Sequence, residues 1–211
     1  MKRMLVAAAV AALTLSAVAA APPARDYPAA PDFTLSDQDG HATSLAAYRG
    51  KIVVLEWTNY ECPFVQHHAA AGTMRKLEEK YRGQGVVWLA INSTGHASRE
   101  SDRDWIAQNK LPYPILEDFE GRVGHAYGAK TTPHMFIVDP QGRLVYAGAI
   151  DDDRRLAGSP KVNYVDVALG ELVAGKPLTV ENNEPYGCSV KYRDAAASPA
   201  AERAASPQPR M

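Results

Sequence analysis

Four runs of apolar, largely β-branched residues stand out in the chain and predict the strands of a sheet. The first two, residues 52–57 and 86–91, are apolar nearly throughout, which is typical of strands covered on both faces. Two further runs, residues 135–138 and 144–150, are separated by the turn sequence Asp139-Pro140-Gln141-Gly142. We therefore expect the last two runs to form a hairpin.

Apolar residues at helical spacing occupy much of the chain between these runs. The pattern predicts a long helix that begins at Pro63, since proline suits the first helical turn, and stops at Gly83. Shorter helices are predicted over residues 102–110, 121–127 and 164–173.

Two shorter segments complete the predicted sheet. Residues 32–35 alternate like a short strand, and residues 111–116 carry two prolines, which suit the edge of a sheet. The order of strands and helices predicts one α/β domain over residues 32–194, with a central mixed β-sheet flanked by helices. Such a pattern does not by itself identify a function.

The two ends of the chain differ from this domain in composition. Residues 1–21 combine a basic start at Lys2 and Arg3 with an apolar core and small residues, which predicts a secretory signal peptide. The apolar run is too short for stable membrane insertion. We expect a Pro/Ala-rich leader over residues 22–31, a disordered tail over residues 195–211, and export to the periplasm or the medium.

Charge and motifs exclude several classes of partner. The formal net charge is -1, and loss of the signal peptide removes two cations, so no nucleic-acid partner is indicated. No Gly-rich phosphate loop follows the first strand, and no cofactor is expected.

Three histidines and an acidic run are candidate metal ligands. His67, His68 and His134 could join Cys62 around copper or zinc, but adjacent helical histidines point to different sides, so we predict a solvent-facing helix surface. The run Asp151-Asp152-Asp153 lacks the spaced oxygen ligands of a calcium loop and is predicted as a solvated loop. We expect no metal site.

The chain has two cysteines, and the first lies where the first long strand gives way to a helix. At that position Cys62 meets unpaired backbone N–H groups and the positive end of the helix dipole, which favour a thiolate. Glu61 acts in the opposite sense, because a nearby carboxylate disfavours a second negative charge. We predict a reactive Cys62, with a buried inert thiol as the alternative.

The second cysteine, Cys188, follows the last predicted helix and is preceded by Gly187. A disulfide between Cys62 and Cys188 would close a long loop and stabilise the fold by about 5 kcal/mol in the chain-entropy model, so a structural bridge is reasonable. A redox partner that resolves an adduct of Cys62 is equally compatible with the sequence. Spacing alone leaves both alternatives open.

A proline stands immediately before the third apolar run, in Lys130-Thr131-Thr132-Pro133-His134. It can begin a strand in the ordinary trans form or make a tight cis junction. Because most X–Pro bonds are trans, the residues alone favour the trans form.

From about residue 31 to 192 the chain resembles the thioredoxin-like superfamily. Within it, the chain resembles the peroxiredoxin-like branch grouped with alkyl hydroperoxide reductase and thiol-specific antioxidant (redoxin) domains. The resemblance rests on the order and spacing of five segments, namely residues 31–35, 61–65, 132–139, 146–152 and 187–192.

The resemblance implies a thioredoxin-like fold and an enzyme that is a thiol-dependent oxidoreductase. It implies that Pro133 is a cis-proline packed beside the active cysteine and that Thr132 offers backbone groups to an incoming thiol or peptide. It also favours a catalytic role for Cys62 and Cys188 over a structural bridge.

Three positions depart from the family patterns. Val65 occupies the second cysteine position of a Cys-x-x-Cys motif, where the peroxide-reacting cysteine of true peroxiredoxins also aligns. Leu55 and Asn59 replace the Pro and the Thr or Ser of the peroxiredoxin pattern that ends at the cysteine. A self-contained Cys-x-x-Cys exchanger and the usual peroxide-activating triad are therefore both absent.

The leading hypothesis is an exported thiol redox protein whose Cys62 thiolate attacks a disulfide or oxidised thiol, with Cys188 resolving the mixed disulfide. A related alternative is a thiol peroxidase in which Cys62 becomes a sulfenic acid. An alternative of another class is a non-catalytic periplasmic binding or copper-handling module with a structural Cys62–Cys188 disulfide. Expected partners are thiol or disulfide proteins or small peroxides, and the sequence does not identify the electron donor.

Overall fold

A computed structural model describes residues 25–193, so the predicted signal peptide over residues 1–21 and tail over residues 195–211 lie outside the described residues. The helices are α1 Pro63–Ala71, α2 Thr73–Tyr81, α3 Arg99–Asn109, α4 Arg122–Tyr127 and α5 Tyr164–Val173. The strands are β1 Thr34–Asp37, β2 Ala42–Ser44, β3 Ile52–Trp57, β4 Val86–Asn92, β5 Ile115–Glu117, β6 Thr131–Thr132, β7 His134–Val138, β8 Leu144–Gly148 and β9 Cys188–Ser189.

Seven of these strands form one sheet in the order β2-β1-β5-β4-β3-β7-β8. Strand β4 is parallel to β3 and β5, whereas β7 is antiparallel to β3 and β8. The predicted α/β architecture with a central mixed sheet is confirmed, and so is the predicted hairpin of β7 and β8. Within residues 25–193, no helix has both the length and the apolar character that a membrane crossing needs.

The central strand β3 is buried along its whole length because its two faces belong to two separate hydrophobic clusters. Ile52 and Val54 pack in one cluster with residues of α2 and α5, while Val53, Leu55 and Trp57 pack in the other. Alternate side chains of a strand point to opposite faces, so an apolar run without polar alternation is the pattern that burial on both faces requires. The site described below begins where this strand ends.

The predicted edge position of residues 111–116 is wrong. Strand β5 lies inside the sheet, with β4 parallel on one side and β1 antiparallel on the other. Pro112 and Pro114 precede β5, so they remove no donor from its ladder, and the carbonyl of Pro114 accepts a hydrogen bond from Ala90 N at 3.1 Å.

The predicted single helix from Pro63 to Gly83 is also wrong, since it is two helices joined at Gly72. Gly72 adopts a left-handed conformation with φ 66°, and its N–H caps α1 by bonding to the carbonyls of His68 and Ala69. Glycine adopts this conformation without the steric penalty of a Cβ atom. Helix α2 then ends at Tyr81, before Gly83.

The described part of the predicted leader lies against the β7–β8 hairpin. The carbonyl of Pro28 accepts a hydrogen bond from Leu144 N at 2.8 Å, and Ala30 N donates to the carbonyl of Gly142 at 3.0 Å. Ala30 is buried. These contacts add backbone from residues 28–30 to the outer side of the hairpin.

Replacing Gly72 by alanine tests the break between α1 and α2. We expect Gly72→Ala to lower the free energy of unfolding by about 1–2 kcal/mol, because an L-residue resists the left-handed conformation. Gly83→Ala is the matched control: its φ is not positive and an added Cβ meets no atom within 4 Å. Urea denaturation of both variants measures the difference, and equal stability of the two would contradict the account.

Candidate active site

The loop after β3 delivers Cys62 to the first turn of α1. The side-chain oxygen of Asn59 accepts a hydrogen bond from Glu61 N at 2.8 Å, and the Asn59 carbonyl accepts one from Cys62 N at 3.0 Å. Cys62 is extended, with φ -79° and ψ 120°, and is the N-cap of α1, with Pro63 in the first helical position. The strand-to-helix placement predicted for Cys62 is therefore observed.

The sulfur of Cys62 faces the segment that precedes β7. Its thiol donates a hydrogen bond to the carbonyl oxygen of Thr132 at 2.9 Å, and the side chain is only 2% exposed. The Thr132–Pro133 peptide bond is cis, as the family resemblance implied, so the trans form favoured by the residues alone is wrong.

Cys188 reaches the same place from the C-terminal part of the domain. Strands β6 and β9 pair antiparallel, and Thr132 stands directly opposite Cys188 in their register. Both cysteines are free thiols, Cys62 buried and Cys188 partly exposed. The structure thus brings Cys62, Thr132, Pro133 and Cys188 together, although they come from three separate segments.

The two thiols have opposite pKa shifts. Burial alone would raise the pKa of Cys62, but hydrogen bonding from Thr132, from the N–H of Val65 and from Cys188 outweighs it, and the pKa is lowered. Burial and the neighbouring Cys62 raise the pKa of Cys188 to about 11. Cys62 is therefore the thiol more readily ionised, and its thiolate is the stronger candidate nucleophile.

The hydroxyl of Thr132 contributes to this asymmetry. Its oxygen is buried and has no hydrogen-bond partner among the described residues, and the Thr132 side chain is the largest of the effects that lower the pKa of Cys62. A buried hydroxyl without a hydrogen-bond partner lowers the stability of a protein. The Thr132 hydroxyl is therefore available to donate a hydrogen bond to a Cys62 thiolate.

The carboxylate of Glu61, which was expected to oppose a thiolate at Cys62, pairs with another side chain. The Glu61 side chain is about half exposed and pairs with His96, with 2.8 Å between Glu61 Oε2 and His96 Nε2. Val65, which replaces the second cysteine of the family motif, is buried and contributes its backbone N–H toward Cys62.

A buried group of polar side chains beside the site was missed by the sequence analysis. The hydroxyl of Tyr186 donates a hydrogen bond to the carboxylate of Asp151 and lies 3.1 Å from His68 Nε2. Burial lowers the pKa of His68, which favours the neutral ring. The predicted solvent-facing helix surface is therefore wrong at His68 and the predicted solvated loop is wrong at Asp151, since both residues are buried.

The remaining histidine considered as a metal ligand, His134, binds a backbone N–H instead. Its Nδ1 accepts a hydrogen bond from Lys130 N at 3.2 Å, and burial together with Lys130 lowers its pKa to about 4. Across residues 25–193, the group of side chains compact enough to hold a metal ion is Asp37, Asp39 and His41, which does not include Cys62.

Glu56 is a second buried group that the sequence analysis did not single out. It lies in β3, accepts a hydrogen bond from Trp88 Nε1 at 2.8 Å, and has a pKa raised by burial to about 7. A single acidic residue within an otherwise apolar strand is the signal that could have identified it.

Thr132→Val tests the electrostatic role assigned to the hydroxyl. We expect the pKa of Cys62 to rise, because the substitution removes the group that lowers it most, and alkylation near neutral pH should slow. The pH dependence of iodoacetamide alkylation in a Cys188→Ser background measures this. The matched control is Thr94→Val, which removes another buried hydroxyl without a partner. An unchanged alkylation midpoint in Thr132→Val would contradict the assignment.

Known proteins resemble this chain over part or most of its length. It is 33% identical over 115 residues to the thiol-disulfide oxidoreductase ResA of Geobacillus thermodenitrificans. This match covers 54% of this chain and 64% of ResA. It is also 31% identical over 126 residues to the chloroplastic peroxiredoxin Q of Oryza sativa subsp. japonica, and this match covers 56% of each chain. The chain thus spans less than two thirds of the length of these relatives.

Structural similarity extends further along the chain. The crystal structure of a hypothetical protein from Sinorhizobium meliloti 1021 superposes with a TM-score of 0.73 at 28% identity, covering 80% of this chain and 95% of that one. The predicted thioredoxin-like fold is confirmed.

The family model that matches describes the AhpC/TSA family and covers residues 28–147. This span contains Cys62, Thr132 and Pro133 and ends before Cys188. Because it is more than half of the chain, the chain belongs to the AhpC/TSA family.

Proposed function

We propose that the protein is an exported thiol-disulfide oxidoreductase in which Cys62 is the nucleophile and Cys188 is the resolving thiol. The observation that carries the proposal is the meeting of the two thiols at Thr132, whose carbonyl accepts a hydrogen bond from Cys62 and which stands opposite Cys188 in the β6–β9 pair. The opposite pKa shifts of the two thiols support it. The similarity to ResA, a thiol-disulfide oxidoreductase, supports it. Export rests on the composition of residues 1–21.

In the first step the Cys62 thiolate attacks one sulfur of an external disulfide. A bond forms between Cys62 and that sulfur, the external S–S bond breaks, and the other external sulfur leaves as a thiolate. The N–H of Val65 and the hydroxyl of Thr132 stabilise the attacking charge before the reaction. The product is a mixed disulfide on Cys62.

In the second step Cys188 loses its proton and attacks the Cys62 sulfur. The negative charge on Cys62 is one of the causes that raise the pKa of Cys188, and this cause disappears once Cys62 is in the mixed disulfide. The second external thiolate leaves, and a Cys62–Cys188 disulfide forms. The external disulfide has been reduced to two thiols, and the pair on this chain has been oxidised.

A dithiol donor must return the chain to its reduced form. Its thiolate attacks the Cys62–Cys188 disulfide, its second thiol resolves the new mixed disulfide, and the donor leaves oxidised. The donor is identified only by this chemistry.

Reduction of hydroperoxides is a second candidate function. The Cys62 thiolate would attack the terminal oxygen, giving a sulfenic acid and an alcohol or water, and Cys188 would condense with it and release water. The 2% exposure of Cys62 favours so small a substrate, and the similarity to peroxiredoxin Q supports it. Leu55 and Asn59 depart from the peroxiredoxin pattern, so activation would depend on Thr132 instead.

Replacing each cysteine in turn distinguishes their roles. We expect Cys62→Ser to lower reduction of oxidised glutathione by about 1000-fold or more, because the nucleophile is lost. Cys188→Ser should slow turnover by about tenfold or more and accumulate glutathione on Cys62, since the resolving step is absent. Turnover with a dithiol donor and the intact mass of the trapped protein are the measurements.

Two results would contradict the proposal. Trapped glutathione on Cys188 in Cys62→Ser, with activity retained, would reverse the roles of the two thiols. Loss of stability in both variants with no thiol chemistry in the unsubstituted protein would favour the non-catalytic alternative, in which Cys62 and Cys188 form a structural disulfide.

A further inference from the structure

The last segment that the structure describes, residues 184–193, lies across the candidate site and is called the strap below. It contains β9, and it is outside the span that the family model matches. Its position relative to β6 determines which molecules can approach Cys62.

The strap pairs with the backbone of β6, the strand that contains Thr132 beside the Cys62 sulfur. Strand β6 pairs with β9, with Thr131 opposite Ser189 and Thr132 opposite Cys188. Thr132 is also the residue whose carbonyl accepts the hydrogen bond from Cys62. An extended peptide docks on a protein by adding a strand to an open edge, and here the chain itself fills that edge.

On the N-terminal side of Cys188 the strap is anchored by an aromatic residue. Tyr186 is buried, its hydroxyl bonds to Asp151 and His68, and its ring packs on Phe64 of α1 with 5.8 Å between centroids. These contacts connect the strap to helix α1, whose N-cap is Cys62.

On the C-terminal side four consecutive residues hold the strap down. Val190 N donates to the carbonyl of Lys130 at 3.1 Å, and the carbonyl of Lys191 accepts from Gly95 N at 2.8 Å. The hydroxyl of Tyr192 donates to the carbonyl of Ala129 at 2.9 Å. Arg193 donates to the carbonyl of Gly95 at 2.9 Å and pairs with Glu120. The strap is thus fixed on both sides of Cys188.

Gly187 is the point of closest approach between the strap and β6. Its φ is 138°, and a Cβ atom placed on it would lie 2.1 Å from the carbonyl oxygen of Thr132. Any side chain there would have to push the strap and β6 apart, because both contacting groups are backbone.

We propose that the strap sets the substrate class: Cys62 reacts with low-molecular-weight electrophiles that carry a weak S–S or O–O bond, and the strap excludes extended polypeptide disulfides. This inference rests on the proposed function, since it specifies the oxidant that the Cys62 thiolate attacks. A small disulfide or hydroperoxide needs access to the sulfur alone. A polypeptide disulfide also needs space for the chain on both sides of its cysteine, and β9 fills the pairing edge beside Cys62.

The test compares three oxidants in a Cys188→Ser background, where only the attack by Cys62 is measured. The oxidants are hydrogen peroxide, oxidised glutathione and insulin, whose disulfides lie in polypeptide chains. Loss of the Cys62 thiol is followed by alkylation and mass spectrometry. With the strap in place, we expect at least one of the small oxidants to react about 100-fold faster than insulin.

Gly187→Ala pushes the strap away from β6 and leaves the residues at 62, 132 and 188 unsubstituted. We expect the rate with insulin to rise about tenfold or more, and the rates with small oxidants to change by less than about threefold. Gly175→Ala is the matched control, because Gly175 also has a positive φ, 65°, but an added Cβ there meets no atom within 4 Å. It should leave all three rates unchanged.

Tyr186→Phe provides a second variant should Gly187→Ala fail to fold. It removes the hydroxyl bonded to Asp151 and His68 and keeps the ring, and it should raise the rate with insulin in the same direction. A rate with insulin equal to that of the faster small oxidant in the strap-intact protein, or no rise with insulin in either strap variant, would overturn the inference alone. If Cys62 reacts with none of the three oxidants, the proposed function is overturned as well.

Discussion

The rest of the site depends on one hydrogen bond, which the Cys62 thiol donates to the Thr132 carbonyl. It joins the N-terminus of α1 to the segment before β7. Cys62 arrives on the first turn of α1, Thr132 on the strand before the cis-proline, and Cys188 on β9 opposite Thr132. None of these segments is adjacent to another in sequence. The buried sheet holds the first two in place, because β3 and β7 pair antiparallel, with the last residue of β3, Trp57, opposite the first residue of β7, His134.

The two thiols share one partly desolvated site but differ in pKa. Burial raises the pKa of both, but only Cys62 has the first-turn N–H of Val65 and the Thr132 hydroxyl to outweigh it. An ionised Cys62 also favours the protonated form of Cys188, so under the proposed function Cys188 reacts after Cys62. Under the proposed function, loss of the Cys62 charge in the mixed disulfide favours ionisation of Cys188 in the second step, although burial still opposes it.

The sequence predicted the sheet and the place of Cys62 because both depend on local pattern: apolar runs give buried strands, and the strand-to-helix boundary gives the cysteine its position. It did not predict the pairing of Cys188 with Thr132, since a contact between segments distant along the chain leaves no trace in spacing. The interior position of β5 was missed for the same reason, because it depends on β1. Buried Tyr186 was not distinguishable from a surface aromatic residue before its partners were known.

The central claim is that Cys62 and Cys188 form one redox pair, and the disulfide map of the oxidised protein tests it most directly. The reduced full-length chain is treated with an equimolar amount of oxidised glutathione, digested without reductant and analysed by mass spectrometry. The account predicts a linked pair of peptides that contain Cys62 and Cys188, each lighter by one hydrogen, with no glutathione retained. Stable glutathione on Cys62 beside a free Cys188 thiol would contradict it.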